Sequence, residues 1–163
     1  MTVPQKPGIH RIARKDLEAL LRDAAQSPRR RARALVHESH DDPVQRLAIA
    51  ALKGAYFRPH AHPDQWEVLA ILGGAGRVLH FAPDGQLEDT TPLSAIDNAI
   101  VQIPTGSFHG FVVTDETAIV LEIKPGPYRP NAFSDWSPNE NEPHATAYRD
   151  WMMTARPGDR GPA

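Results

Sequence analysis

Short apolar runs separated by proline and glycine turns recur between residues 33 and 124, and no other feature constrains the fold as strongly. The runs cover residues 33–36, 44–52, 55–62, 66–72, 77–81, 100–103, 110–113 and 117–124. Turn sequences such as Pro83-Asp84-Gly85 and Asp115-Glu116 separate them. Strands this short and this regularly interrupted predict a mainly β protein built as a sandwich or barrel.

One helix is predicted on each side of the strands. Apolar residues spaced by three and four predict a short helix over 15–26, which Ser27-Pro28 ends. Pro143 suits the first turn of a C-terminal helix over about 143–156. Both helices are expected to pack one apolar face against the β body.

The order of these elements predicts three parts. Residues 1–43 form an N-terminal extension of helix plus strand that packs on the barrel, and residues 44–128 form the barrel. Residues 129–163 form a C-terminal segment that carries the second helix. From Pro157 onward this segment is predicted to be a flexible tail.

Composition excludes several classes of partner and site. The 163 residues carry a formal net charge of −2, so neither nucleic acid nor membrane is expected as a partner. No uncharged apolar run approaches the roughly 18 residues that span a bilayer, and residues 1–10 hold no apolar signal segment, which predicts a cytoplasmic location. Without cysteine, any metal must be held by nitrogen and oxygen.

His60 and His62 are the first candidates for metal binding. In an extended strand, residues two apart point to the same side, so the two imidazoles can chelate one ion. The pair alone is a weak signal and is more typical of solvated or core histidines than of metal ligands. A hairpin at Pro63-Asp64 would return the chain antiparallel and bring the Glu67 carboxylate to the same point. His109 would have to come from a distant strand.

Two sequence motifs strengthen this interpretation. Gly54, His60, His62, Glu67 and Gly74 have the spacing of the first cupin motif. Later, Pro104, Gly106 and His109 match the core of the second, although Asn98 and Val113 replace its first and last residues. The resemblance implies a cupin double-stranded β-helix (jelly-roll) barrel that binds one divalent metal ion through His60, His62, Glu67 and His109.

The predicted ligand set indicates what the site can bind. Three neutral imidazoles and one carboxylate leave a divalent ion with a net charge of about +1 and, in an octahedral site, two open positions. An anionic, oxygen-rich small molecule suits them. Iron, manganese, nickel, zinc and copper all remain candidates.

Three functions are compatible with such a site. The first is an enzyme of oxygenase, isomerase or lyase type, acting on a sugar derivative or organic acid by Lewis-acid or oxygen-activating chemistry. The second is a non-catalytic module that binds or senses a small molecule through the metal. The third is a scaffold in which the metal mainly supports folding.

Nearly the whole chain also resembles the WbuC family of cupin-fold metalloproteins. The shared residues are Ser27-Pro28-Arg29, His37, Asp42-Pro43-Val44-Gln45-Arg46-Leu47, Tyr56, Arg58-Pro59-His60-Ala61-His62, Trp66-Glu67, Ile103-Pro104, His109 and Glu122-Ile123-Lys124-Pro125-Gly126-Pro127-Tyr128. Leu35 and Phe108 depart from the family pattern. The resemblance implies a bacterial cytoplasmic homodimer, some relatives being encoded among surface-polysaccharide genes, but no known reaction.

Four further side chains are candidate catalytic residues: Arg58, Tyr56, Glu122 and Lys124. Arg58 and Tyr56 share the parity of His60, so Arg58 could bind a substrate carboxylate or phosphate; alternatively it pairs with Glu122 at the barrel mouth. Glu122 and Lys124 share one strand face. If that face points inward they can transfer protons, and otherwise they meet solvent or a dimer edge.

Two polar clusters near the N-terminus have alternative explanations. His37, His40, Asp41 and Asp42 could hold a second metal, but turn chemistry explains them as well, and His37, Gln45 and Arg46 could lie at a pocket rim or dimer interface. Arg29, Arg30, Arg31 and Arg33 form either a phosphate-binding patch or a solvated face paired with Asp23 and its neighbours. His10, His80 and His144 are expected to be structural or exposed.

Overall fold

A computed structural model describes residue 9 and residues 11–162. In chain order the elements are α1 (Arg14–Gln26), β1 (Arg31–Leu35), β2 (Val44–Leu52), β3 (His60–Ala61), β4 (Glu67–Phe81), β5 (Leu87–Ser94), β6 (Ile100–Ile103), β7 (Phe108–Pro125), β8 (Ala132–Phe133) and α2 (Ala145–Thr154). The predictions for residues 1–8 and for His10 fall outside the described residues.

The strands form one curled antiparallel sheet around β7. One path through the sheet runs β1-β2-β7-β3-β8, and β4 pairs with β5, β6 and β7. The β4–β7 register shifts between Ile71 and Gly73 and again between Gly74 and Gly76. Gly74 has φ +68°, and a Cβ there would lie 1.9 Å from the Thr117 carbonyl oxygen, so only glycine fits. These bulges bend the two long strands and curl the sheet into a half-barrel.

The two helices cover different parts of the barrel. Leu20 and Ala24 of α1 are buried against β1 and β2, while Tyr148 and Met152 of α2 pack in a separate core cluster with Leu79. The mainly β fold with an N-terminal and a C-terminal helix confirms the predicted fold class. Over the described residues, no helix is long and apolar enough to span a membrane.

Strand boundaries depart from prediction where a turn was expected inside a strand. Asp115-Glu116 does not end a strand, because β7 continues through it, and 66–72 and 77–81 are joined in β4. Conversely, most of 55–62 lies outside strands, since only His60–Ala61 finds a pairing partner. Strands β5 and β8 were not predicted, and each pairs with a single neighbouring strand.

The predicted flexible tail is wrong for residues 157–162. Leu87 N–H donates to the Asp159 carbonyl and Gly158 N–H donates to the Leu87 carbonyl, at 2.9 and 2.7 Å. The Arg160 guanidinium also pairs with Asp84 at 2.5 Å. Strand β5 therefore fixes this segment through backbone groups, a contact that the local sequence does not encode.

Candidate metal centre

Three strands bring the predicted metal ligands together. His60 on β3 is the direct partner of His109 on β7, and Glu67 is the first residue of β4. One ligand atom from each of His60, His62, Glu67 and His109 lies within 4.8 Å of the others. Among the described residues this is the one group of three or more such side chains close enough to hold an ion.

Glu67 reaches the group by a different route from the predicted hairpin. Strand β3 pairs with β7 and β8, whereas β4 pairs with β5, β6 and β7. The two strands that flank Pro63-Asp64 are therefore not hydrogen-bonded to each other. In the β4–β7 ladder, Val68 pairs with Ile123 at one end and His80 with His109 near the other, so Glu67 and His109 meet across the curled sheet and not through strand pairing.

Backbone carbonyls fix the orientation of two imidazoles. His60 Nδ1 lies 2.9 Å from the Arg58 carbonyl oxygen, and His109 Nδ1 lies 3.0 Å from that of Ser107. A carbonyl oxygen only accepts, so in each ring Nδ1 carries the hydrogen and donates it. Each Nε2 then presents its lone pair to the centre, which is how histidine ligands are usually held.

The contact between His109 and Glu67 fits a bound cation. His109 Nε2 lies 2.8 Å from Glu67 Oε2, yet this buried nitrogen makes no hydrogen bond. When Nε2 carries only its lone pair, both atoms are acceptors, and a positive charge between them, a metal ion or a proton on Nε2, stabilises their close approach. His62 Nε2 lies 3.2 Å from the same oxygen. This set of imidazoles and a carboxylate fits a divalent transition metal.

The electrostatics of the site favour a neutral His60 and an ionised Glu67 carboxylate. Burial, followed by the neighbouring His109, lowers the pKa of His60 to about 3. Burial also disfavours a charge on His109, but the Glu67 carboxylate outweighs this and raises its pKa. Burial alone would raise the pKa of Glu67; the close contacts with His109 and His62 instead lower it well below its usual range.

A cavity of about 410 Å³ opens onto this centre. His60, Glu67 and His109 line its floor, together with Glu122 and Lys124. Lys124 Nζ lies 2.6 Å from Glu122 Oε1, and both side chains are buried. Burial, then the negative charge of Glu67, raises the pKa of Glu122 to about 7. The charged face of this strand thus points into the cavity, a choice that the sequence left open.

Arg58 also lines the cavity, but Tyr56 does not. The Arg58 guanidinium donates to Ser134 O at 2.6 Å and Ser137 Oγ at 3.3 Å, and lies over the Phe133 ring. Arg58 therefore bonds these residues and not Glu122, the alternative partner that the sequence offered. The Tyr56 hydroxyl instead donates to Pro138 O, and its ring packs against Tyr148. The prediction that Tyr56 lies on the same strand face as His60 was wrong, because residues 55–59 do not form a regular strand.

Three more arginines line the cavity: Arg29, Arg31 and Arg33. Arg29 Nε lies 2.6 Å from Glu140, and Arg31 bonds the same carboxylate and the Tyr56 carbonyl. The predicted local partner, Asp23, is therefore wrong for Arg29 and Arg31. The alternating positions 29, 31 and 33 could have indicated that these arginines share one strand face. Their ion pairs with Glu140 could not be predicted, because Glu140 lies more than a hundred residues further along the chain. We call Arg29, Arg31, Arg33 and Arg58 the rim arginines.

The region around His37 forms a hydrogen-bonded turn. Glu38 N–H donates to Asp42 Oδ2, and Asp41 N–H donates to Ser39 Oγ, as turn chemistry predicts. The buried His37 ring accepts from the Arg46 N–H. His37, His40 and Gln45 line the cavity, while Arg46 does not. Elsewhere, His80 pairs with Glu88 at 3.3 Å and is well exposed, and His144 is exposed before α2.

Solved structures with a similar fold are cupins. A recombinant oxalate oxidase in complex with glycolate is 16% identical, with 66% of this chain and 56% of that chain covered and a TM-score of 0.52. The DMSP lyase DddQ from Ruegeria pomeroyi DSS-3 is 18% identical, with 68% of this chain and 54% of that chain covered and a TM-score of 0.53. KdgF from Halomonas sp. is 20% identical, with 61% of this chain and 80% of that chain covered and a TM-score of 0.49. The chain spans about half the length of the oxidase and of the lyase.

Sequence comparison gives the family. No curated protein sequence matches the chain. A family model with the description "Domain of unknown function (DUF6016)" matches residues 12–93, which run from the start of α1 through most of β5. This match covers half of the chain, and the sheet that it begins is completed by β6, β7 and β8. The chain therefore belongs to the DUF6016 family and has a cupin fold.

Proposed function

We propose that this protein is a metal-dependent cupin enzyme that acts on a small anionic, oxygen-rich substrate, a sugar derivative or an organic acid. His60, His62, Glu67 and His109 would hold one divalent ion. When bound, the ion would supply Lewis-acid or oxygen-activating chemistry. The observation that carries the proposal is that one ligand atom from each of His60, His62, Glu67 and His109 lies within 4.8 Å of the others, with the buried His109 Nε2 making no hydrogen bond.

The Glu122–Lys124 pair favours catalysis over binding alone. Burying two charged groups costs several kcal/mol per ion, which their mutual attraction offsets only with good geometry. A passive pocket gains little from such a pair beside its ligand. In our proposal Glu122 accepts a proton from the substrate and Lys124 holds the carboxylate in place and donates to the substrate's oxygen.

Two finer assignments rest on the sequence resemblance alone. Membership of the WbuC family, with its link to surface-polysaccharide genes, is supported by the shared residues given above, and sequencing of gene neighbours in related genomes would test it. The homodimer that the resemblance implies also stays a prediction. Light scattering coupled to size-exclusion chromatography would test it directly.

Elemental analysis of protein purified without chelators or a histidine tag tests the metal part of the proposal. We expect one divalent ion per wild-type chain and loss of most of it in His60→Ala and His109→Ala. His80→Ala is the matched control, because His80 lies opposite His109 in the β4–β7 ladder but outside the cavity. Full metal content in the double variant His60→Ala/His109→Ala would overturn the proposal.

Turnover is tested separately. Thermal-shift screening with sugar nucleotides and organic acids, followed by a product search for each stabilising compound, distinguishes an enzyme from a binding module. We expect a converted compound whose turnover is lost in Lys124→Met. A stabilising compound that is never converted would support the non-catalytic alternative instead.

A further inference from the structure

Three kinds of side chain line the cavity. The floor carries the metal ligands with the Glu122–Lys124 pair, and the rim carries the four rim arginines. The rest of the lining is mostly aliphatic and aromatic, with a few polar side chains from His37, His40, Gln45 and Asn131; its apolar walls are Leu47, Ile49, Phe57, Leu69, Phe111 and Val120. A ligand that reaches from floor to rim therefore meets charge at both ends and apolar surface along its body.

The size and walls of the cavity limit the ligand. A volume of about 410 Å³ falls within the range of pockets that hold drug-sized ligands, and is far more than a two-carbon acid fills. Sugar hydroxyls placed against these walls would lose their hydrogen bonds to water without replacement, which costs about 1–3 kcal/mol each. The walls thus favour an apolar body over a polyhydroxylated one.

The rim favours a negative charge. Arg29 and Arg31 share the carboxylate of Glu140 there, and Arg33 and Arg58 line the same part of the cavity. Arg58 donates only to neutral oxygens, those of Ser134, Ser137 and Asn139. A guanidinium has five N–H donors, and over the described residues two of those on Arg58 have no acceptor.

Glu140 shows which chemistry the rim accepts. Its two oxygens receive Arg29 Nε and Arg29 NH2, both at 2.6 Å, in the two-pronged geometry typical of arginine with a carboxylate. Asn139, the adjacent residue, bonds Arg58. Arg29, Arg31 and Arg58 are therefore gathered around one short segment, where a second carboxylate would meet several donors.

We propose that the ligand is an elongated organic acid with an oxygen-bearing head group on the metal floor, an apolar body along the walls and a second carboxylate at the rim arginines. This inference rests on the proposed function, because it assigns the head group to the metal centre. It narrows the substrate from small oxygen-rich molecules in general to long dicarboxylic acids. Arg58 and Arg33 are specificity-determining residues in this proposal.

Three acids with the same head group test the inference in Co²⁺-loaded protein. Pyruvate has the head group alone, 2-oxooctanoate adds an apolar chain, and 2-oxooctanedioate adds the distal carboxylate. Calorimetry measures affinity, and the visible spectrum of Co²⁺ reports whether the head group reaches the ion. We expect affinity to rise in that order, with the distal carboxylate adding at least about tenfold through charge-assisted hydrogen bonds.

Arginine variants locate the effect. Arg58→Gln and Arg33→Gln should each reduce the preference for 2-oxooctanedioate and leave the affinity for 2-oxooctanoate unchanged. Arg33 is exposed, so its variant is expected to fold even where the loss of Arg58 disturbs residues 134–139. Arg160→Gln is the matched control, since Arg160 pairs with Asp84 away from the cavity.

The outcomes separate this inference from the proposed function. If Co²⁺ binds but the diacid binds no tighter than 2-oxooctanoate, or the chain adds nothing over pyruvate, the inference is wrong and the metal centre stands. A diacid preference that survives both arginine variants also overturns it. If Co²⁺ itself does not bind, the proposed function fails.

Discussion

At the floor of the cavity the charged side chains sit on paired strands, whereas at the rim they are held by a segment without regular structure. His60 and His109 are direct partners in the β3–β7 ladder, and both are within reach of Glu67. At the rim, Arg29 and Arg31 depend on Glu140, more than a hundred residues away in sequence. The floor is thus fixed by the barrel itself, and the rim by contacts between the barrel and the C-terminal segment.

This difference predicts how each region responds to change. Floor residues are buried and tightly coupled, so the loss of one charge leaves another without a partner. Rim residues are partly exposed, and solvent screens what they lose. We expect floor substitutions to have large effects on stability and metal affinity, and rim substitutions to have small effects on stability and larger ones on ligand choice.

The largest expected effect is on the stability of the floor. Lys124→Met leaves the Glu122 carboxyl buried without its cation, which should lower the free energy of unfolding by about 3–5 kcal/mol. The double variant Glu122→Leu/Lys124→Met should recover most of that loss, because no charge is left unpaired. Urea titration in the presence of a chelator measures both. A double variant as unstable as the single one would contradict the buried-pair account.

The second prediction concerns metal affinity. Glu67→Gln keeps the shape of the side chain but removes its negative charge, so metal affinity should fall by more than about 100-fold, beyond the usual loss for residues outside the ligand set. Glu88→Gln is the control, since Glu88 also contacts a histidine, but at the surface. Competition with a coloured chelator measures the affinity. Equal affinity of the two variants would remove Glu67 from the ligand set.

A smaller effect is expected at the rim. Glu140→Gln removes the carboxylate shared by Arg29 and Arg31, and after allowance for solvent screening should cost about 1–2 kcal/mol of stability at neutral pH. Burial opposes ionisation of Glu140, but hydrogen bonds from both arginines lower its pKa below the usual 4.5. The carboxylate therefore stabilises the fold above that value, and its contribution is lost as pH falls through the lowered pKa.

Urea titration at several pH values tests whether the stabilising contribution of Glu140 is lost as the pH falls. The stability difference between wild type and Glu140→Gln should be fully present at neutral pH and shrink in acid below the usual pKa of the carboxyl group. A difference that grows in acid would mean that Glu140 is protonated in the fold and that the rim arginines are held by other partners.

The smallest effect is expected outside the cavity. Arg160 and Asp84 form an ion pair at 2.5 Å, but both side chains are more than half exposed. Arg160→Gln should therefore change the urea midpoint by no more than the error of the measurement. A loss as large as that of Glu140→Gln would show that the C-terminal residues, and not the rim, carry the stabilising ion pairs.

The sequence predicted the floor well because its determinants are local or follow strand periodicity. Strand β2 (Val44–Leu52) and strand β6 (Ile100–Ile103) have the predicted bounds. The structure brings the four predicted metal ligands together. They could be predicted because a histidine pair two residues apart and a motif bounded by glycines are patterns within short stretches of sequence. Which face of 121–124 points inward depended on the register with β2 and β4, which no local pattern gives.

The rim and the chain ends were predicted poorly for the same reason. Glu140 lies in a polar segment whose partners are distant, so nothing near it in sequence indicates an ion pair with Arg29 and Arg31. Strand β5 contains Glu88, Asp89 and Pro92, residues disfavoured in strands, and forms only because the long strand β4 offers it an edge.

The proposed function depends on a metal ion bound at the floor of the cavity. Anomalous diffraction from crystals of protein purified without chelators tests for this ion most directly. We predict one anomalous peak per chain, within bonding distance of the Nε2 atoms of His60, His62 and His109 and of the Glu67 carboxylate. The same crystals of Glu67→Gln should lose most of that peak. An ion-free floor in wild-type crystals soaked with an excess of divalent metal would contradict the account.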